Sequence, residues 1–175
     1  MRKKKRYGIF KLARKLNVPL KDRPKKYLYD GKTISTRQNE SNLLHDIAHY
    51  VVCREIAPDG LMLPEFGLGP APDTLLKMPK ASKIHSREKC YEQECLASAL
   101  GILFERYLKY PWQESALAHS WINQNFNHTQ DQNLEEYQKR AISLLPDNEL
   151  KLALELEREK TYQELRQLSL FNSYI

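Results

Sequence analysis

The hydrophobic and polar positions divide the chain into stretches of different period. In "KKYLYDGKTIST", Tyr27, Tyr29 and Ile34 alternate with polar residues around Asp30-Gly31, a dipeptide that accepts the positive φ angles of a type I′ turn. This predicts a short β-hairpin over about residues 26–36. In "NLLHDIAHYVVC" the apolar Leu44, Ala48, Val51 and Val52 share one side of a helical wheel, which predicts a helix reaching about Arg54 and capped by Asn39 or Ser41. Residues 57–87 hold five of the nine prolines and three of the six glycines, so no long helix can persist there. Their apolar residues, among them Leu61, Met62, Phe66 and Leu75, predict a long ordered loop packed on the body. From Glu88 the 3.6-residue period returns in four stretches, "REKCYEQECLASALGILFERYLKY", "WQESALAHSWINQNF", "LEEYQKRAISLL" and, beyond Pro146, "DNELKLALELEREKTYQELRQL". The expected fold class is α+β, predominantly α-helical, with a short N-terminal β-hairpin and a long ordered Pro/Gly loop in a single domain.

A chain of 175 residues that is 41% hydrophobic is long enough for one domain with its own core. No apolar run approaches the ~18 residues of a membrane span, and the N-terminus lacks the apolar segment of a signal peptide. A cytoplasmic protein with no membrane contact is expected. Charge adds one division. Residues 1–26 carry twelve Lys or Arg against Asp22 alone, a net +11, so the remainder carries −5 of the total +6. The expected organisation is a basic N-terminal arm, residues 1–26, followed by a mainly helical metal-binding domain, residues 27–175. Such an arm is either a solvated, solubilising segment or a contact for RNA, a ribosome or an acidic protein. Cys53, Cys90 and Cys95 match no zinc-finger spacing and are expected to be thiols.

The chemistry centres on His45 and His49. Residues i and i+4 of a helix lie about 6 Å apart on one face, so two imidazoles can reach one ion. Two packing histidines are the bland alternative, which chance can produce among five histidines. The zinc-peptidase pattern H-E-x-x-H has a general-base Glu after the first His; here that place is held by Asp46, one methylene shorter. A third ligand is sought in "CYEQEC". If the helix runs from Glu88, Glu92 falls among Leu96, Ala99 and Leu103 on the apolar face, and Glu94 joins Ser98 and Glu105 on the polar one. If it starts near Cys95, Glu94 lies at its N-terminus facing the site. Both remain candidates at this point.

Taken in order, "HDIAHY", "LPEFGLGPAPDT" and "YEQECLASALGILF" resemble the elongation factor P hydroxylases over about residues 43–105. That family's motifs run H-E-[IV]-[SA]-H-W, then Asp-Phe-Gly and Pro-Asp-Gly, then Glu-Val-Lys-Pro-Gln-Ala-Leu. The resemblance implies a non-haem Fe2+ site with His45, His49 and Glu94 as ligands, Glu92 being the second choice. Glu94 is preferred because Ala99-Leu100 aligns without a gap. It also puts Asp46 and Tyr50 in catalytic positions and Glu65 and Asp73 in the substrate-binding loop; His85, in the same loop by its sequence position, is read as a surface histidine, with a substrate contact or a fourth ligand as the alternatives. Tyr50 and Glu65 are also acceptors for the outer N–H of a ligating histidine. The implied substrate is a translation factor or another protein. Asp46 replaces the family's Glu, Thr74 its loop Gly, and Leu96-Ala97-Ser98 its Lys-Pro-Gln, positions where orientation and recognition of the factor are expected.

Zn2+ can use the same ligands, which leaves a peptidase-like hydrolase as an alternative. "LLHDIAH" also echoes the HD-type phosphohydrolases, although no histidine precedes His45 to complete their ligand set. A non-enzymatic RNA- or ribosome-binding protein, acting through residues 1–26, is the alternative from another class. His119 and His128 are read as packing and turn residues.

Overall fold

The computed structural model describes residues 2–22, 33–56, 87–113, 115 and 130–172. Its elements in chain order are α1 (Arg2–Lys15), β1 (Leu20–Lys21), β2 (Ile34–Ser35), α2 (Glu40–Ile56), α3 (Arg87–Tyr107), α4 (Gln130–Ser143) and α5 (Asn148–Asn172). The fold is predominantly α-helical with a small two-stranded sheet, as the periodicity predicts.

α3 is the axis of the fold. Every residue from Cys95 to Arg106 is buried, because α2, α4 and α5 all pack against this helix. A helix enclosed on several sides has no solvent face, and its few polar residues must find partners inside. Gln93 contacts Cys53, Ser98 contacts His45, Glu105 accepts from Ser115 Oγ at 2.7 Å, and Arg106 makes a two-pronged pair with Glu164 while lying over the Trp112 ring. α3 ends where Lys109 turns to φ 61°, with Tyr110 N–H donating to the Glu105 carbonyl and Lys109 N–H to that of Arg106. This is the Schellman closure of a helix.

The N-terminal basic segment differs from expectation. Instead of a solvated arm, its residues 2–15 form α1, and Ile9, Leu12, Ala13 and Leu16 are buried in the same cluster as α2 and α3. Four apolar residues at helical spacing outweigh the repulsion among its cations, because burying Ile9, Leu12 and Leu16 contributes about 1.5–3 kcal/mol each. Salt bridges fasten both ends: Arg6 to Glu40 at 3.2 Å, and Lys15 to Asp147 at 3.0 Å.

α2 starts at an Asn39 cap, whose Oδ1 accepts from Asn42 N–H at 2.7 Å, and Ser41 instead bonds Ser115 at 2.7 Å. It runs to Ile56, slightly beyond the expected end. The predicted hairpin turn at Asp30-Gly31 lies outside the described residues. Of its second strand, Ile34–Ser35 is extended, but its described partner is Leu20–Lys21 and the pairing is parallel. The loop over 57–87 lies outside the described residues except at Arg87, the first residue of α3. Of the four C-terminal helices expected, three appear as α3, α4 and α5, and most of the "WQESALAHSWINQNF" stretch lies outside the described residues.

Candidate metal centre

Where α2 crosses α3, the two helices approach closely at Gly101, whose missing side chain leaves room for His45: a Cβ built there would stand 3.4 Å from His45 Cα. His45 and His49 sit one turn apart on α2, their ring centroids 4.5 Å apart and their planes nearly perpendicular. Glu94 meets them from α3. Its Oε1 lies 3.2 Å from His45 Nε2 and its Oε2 lies 2.9 Å from His49 Nε2. The three donor atoms fall within 4.8 Å of one another, the one such grouping of His, Cys, Asp and Glu among the described residues.

Burial grades the site from inside to outside. The His49 side chain is 1% exposed, Glu94 12% and His45 20%, so the cluster opens on the His45 side. Burial alone would raise the Glu94 carboxyl; the imidazoles of His45 and His49 facing it outweigh burial and hold the group well below the usual carboxylate range. Glu94 is an anion, which is the state a metal ligand needs.

The contact between His49 and Glu94 is close without being a hydrogen bond. His49 Nε2 and Glu94 Oε2 are both buried, and neither has a hydrogen-bond partner. Leaving a buried donor or acceptor unmade costs about 1–3 kcal/mol, so such atoms call for an explanation. Two ligand atoms each about 2.1 Å from one ion lie about 3.0 Å apart at a right angle and about 3.4 Å apart at the tetrahedral angle. The observed 2.9 and 3.2 Å are separations of that kind, and the widest separation, up to 4.8 Å, must close to the roughly 4.2 Å that two such ligand atoms can span at most. The residues therefore fit a bound divalent ion.

Ser98 has a role that sequence reasoning missed. Its buried Oγ lies 2.9 Å from His45 Nε2 and 3.3 Å from Glu94 Oε1. The available signal was its i+4 spacing from Glu94, which puts both side chains on one face of α3. A Ser, a His and a Glu suggest a nucleophilic triad, but Ser98 and Glu94 both meet the same ring nitrogen of His45. A triad needs the acid on one ring nitrogen and the hydroxyl on the other. This arrangement cannot relay a proton through the ring.

The other expected residues are placed differently. Glu92 is turned outward, 42% exposed and paired with Arg140 of α4. The wheel that put it on the apolar face assumed one solvent face for α3, whereas most of α3 is enclosed. Asp46 is buried, with Oδ2 accepting from Gln38 Nε2 at 2.7 Å, and Gln38 also donates to the Ser35 carbonyl at 3.0 Å. It thus ties α2 to β2 and is not a member of the donor cluster. Tyr50 is partly buried against the main core. Cys53, the cysteine nearest the pair in sequence, is a buried free thiol beside Gln93. Glu65, Asp73, His85, His119 and His128 lie outside the described residues. No protein-family model, no curated protein and no solved structure matches the chain.

Proposed function

We propose that the protein is a metal-dependent enzyme in which His45, His49 and Glu94 hold one divalent ion, and that it acts as a non-haem iron oxygenase or hydroxylase similar to the elongation factor P hydroxylases. The observation that carries the metal site is the pair His49 Nε2 and Glu94 Oε2, buried, 2.9 Å apart and without hydrogen bonds, and the oxygenase part of the reading rests on the resemblance of the motifs. Two imidazoles and one carboxylate are the ligand set of non-haem Fe2+ oxygenases, and bound Fe2+ supplies O₂ chemistry at the positions such a set leaves open.

The protein's own groups have separable tasks. Glu94 supplies the negative charge that offsets a cation in a buried site. Ser98 orients the Glu94 carboxylate by donating to its Oε1 at 3.3 Å, and its contact with His45 Nε2 occupies the nitrogen that an ion would take, so that contact is exchanged for the ion on binding. His49, the deepest of the three, anchors the site in the core, and the more exposed His45 marks the side from which substrate enters. Zn2+ can occupy the same ligands. Two alternatives lose support at Asp46: a peptidase-like mechanism needs it as base on a metal-bound water, and an HD-type site needs it as a ligand, whereas it is engaged with Gln38. A translation factor or another protein remains the proposed substrate class, and a cytoplasmic setting the proposed location. No helix among the described residues is long and apolar enough to cross a membrane.

The test is reconstitution with Fe2+ under anaerobic conditions, followed by O₂ uptake in the presence of a chemical reductant. Uptake above that of the equally folded His49→Ala variant is expected. Equal uptake by the two proteins, or activity with Zn2+ and none with Fe2+, contradicts the oxygenase reading.

A further inference from the structure

The outer face of α1 plays no part in the metal site. Tyr7, Phe10, Lys11 and Arg14 follow i, i+3, i+4, i+7 spacing and so share one side of the helix, opposite the buried Ile9, Leu12, Ala13 and Leu16. Tyr7 is 71% exposed and Phe10 37%. Two aromatic rings left in water on one helix face forgo the stabilisation that burial would give. Lys11 and Arg14 are exposed beside them, and among the described residues no carboxylate pairs with either. The helix carries eight Lys or Arg and no acid.

Next to this face lies a groove of about 460 Å³, lined by Phe10, Arg14, Val18, Leu20, Asp22 and Thr36. Phe10 and Arg14 belong to both the face and the groove. Asp22, the acid at the rim, accepts from Arg37 Nε at 2.7 Å, so it presents a compensated carboxylate with acceptor capacity to spare.

We infer that the outer face of α1 and the adjoining groove bind single-stranded RNA. Lys11 and Arg14 neutralise phosphates, Tyr7 and Phe10 offer flat faces on which unpaired bases stack, and Asp22 and Thr36 provide partners for a ribose 2′-hydroxyl. A membrane surface fits poorly, because an interfacial helix puts its apolar face into lipid, and here that face is already in the protein core. An acidic protein would answer the cations but not the paired rings and the groove. The inference stands independently of the metal site.

The test is fluorescence anisotropy of the full-length protein with a labelled oligouridine RNA over a salt series, with oligodeoxyuridine and heparin as competitors. Binding that weakens with salt is expected. Lys11→Ala with Arg14→Ala should weaken it and flatten the log–log salt slope by about 1.4, because each phosphate contact on a single strand contributes about 0.7. Tyr7→Ala with Phe10→Ala should weaken binding about 30-fold or more at an unchanged slope, through the loss of two stacking faces. Tyr7, Lys11 and Arg14 are well exposed but Phe10 is only 37% exposed, so binding is compared at a temperature at which melting curves show every variant folded. Absence of binding at low salt, indifference to the Tyr7 and Phe10 changes, or equal competition by the deoxy strand or heparin would overturn the inference.

Discussion

His49 Nε2 of α2 and Glu94 Oε2 of α3 face each other at 2.9 Å inside the protein, and neither makes a hydrogen bond. Two strongly polar atoms are thus kept close, dry and unsatisfied by the packing of two helices. A cation between them resolves that cost, and the consequences can be tested residue by residue.

Glu94 and Glu92 should separate cleanly. Glu94→Gln removes the charge and should lower metal affinity by more than about 100-fold, beyond the 10–100-fold typical of groups outside the ligand shell. Glu92→Ala should leave metal binding unchanged and cost at most about 1 kcal/mol, because it loses only a half-exposed pair with Arg140. Metal titration and urea unfolding of both variants check this.

Ser98→Ala should weaken metal binding about tenfold, since it frees the Glu94 carboxylate from the hydroxyl that donates to its Oε1. The ligands themselves remain, so stoichiometry at saturating metal should be unchanged. Loss of stoichiometry instead of affinity would make Ser98 a ligand.

Gly101 sets the spacing between the two helices that carry the proposed ligands. Gly101→Ala puts a Cβ in ordinary contact with His45 Cα at 3.4 Å and removes the glycine penalty, so stability should change by no more than about 1 kcal/mol in either direction. Gly101→Val adds two methyl groups on a buried Cβ. It should cost about 1–3 kcal/mol and weaken metal binding by displacing His45. Thermal melts and metal titration of the two variants distinguish spacing from mere stability.

Acid should destabilise the fold through carboxylates paired within and between helices. For Glu157, burial would raise the carboxyl, but hydrogen bonds from Lys160 and Lys109 hold it below its ordinary 4.5; Glu164 is lowered first by its bond from Arg106, and Glu135 by that from Lys139. Folded values below unfolded ones mean that the unfolded chain takes up protons first as pH falls. The stability these groups contribute is therefore fully present above about pH 4.5 and lost progressively below it. Urea midpoints measured from about pH 6 down to about pH 3 should fall, and Glu157→Gln should make the fall shallower.

The part of this architecture that was legible in the sequence is the part written in local period. The His45–His49 turn of α2 and the three helices α3, α4 and α5 follow from apolar spacing, and Glu94 follows from the register that Ala99-Leu100 gave to a family resemblance. The wheel misled for Glu92, because a single amphipathic face describes a surface helix, and α3 is enclosed by three neighbours. In α1 the charge of twelve cations over residues 1–26 masked the Ile9, Leu12, Ala13, Leu16 stripe that makes it part of the core. The parallel pairing of Leu20–Lys21 with Ile34–Ser35, and the capture of Asp46 by Gln38, depend on contacts between separate segments, which no local pattern encodes.

The most direct measurement is metal content by elemental analysis, for the native protein and for its His49→Ala variant. One divalent ion per chain is expected in the native protein, with loss of the ion and a lowered melting temperature in the variant. A metal-free native protein that gains no thermal stability from added Fe2+ or Zn2+ would contradict a metal centre at His45, His49 and Glu94.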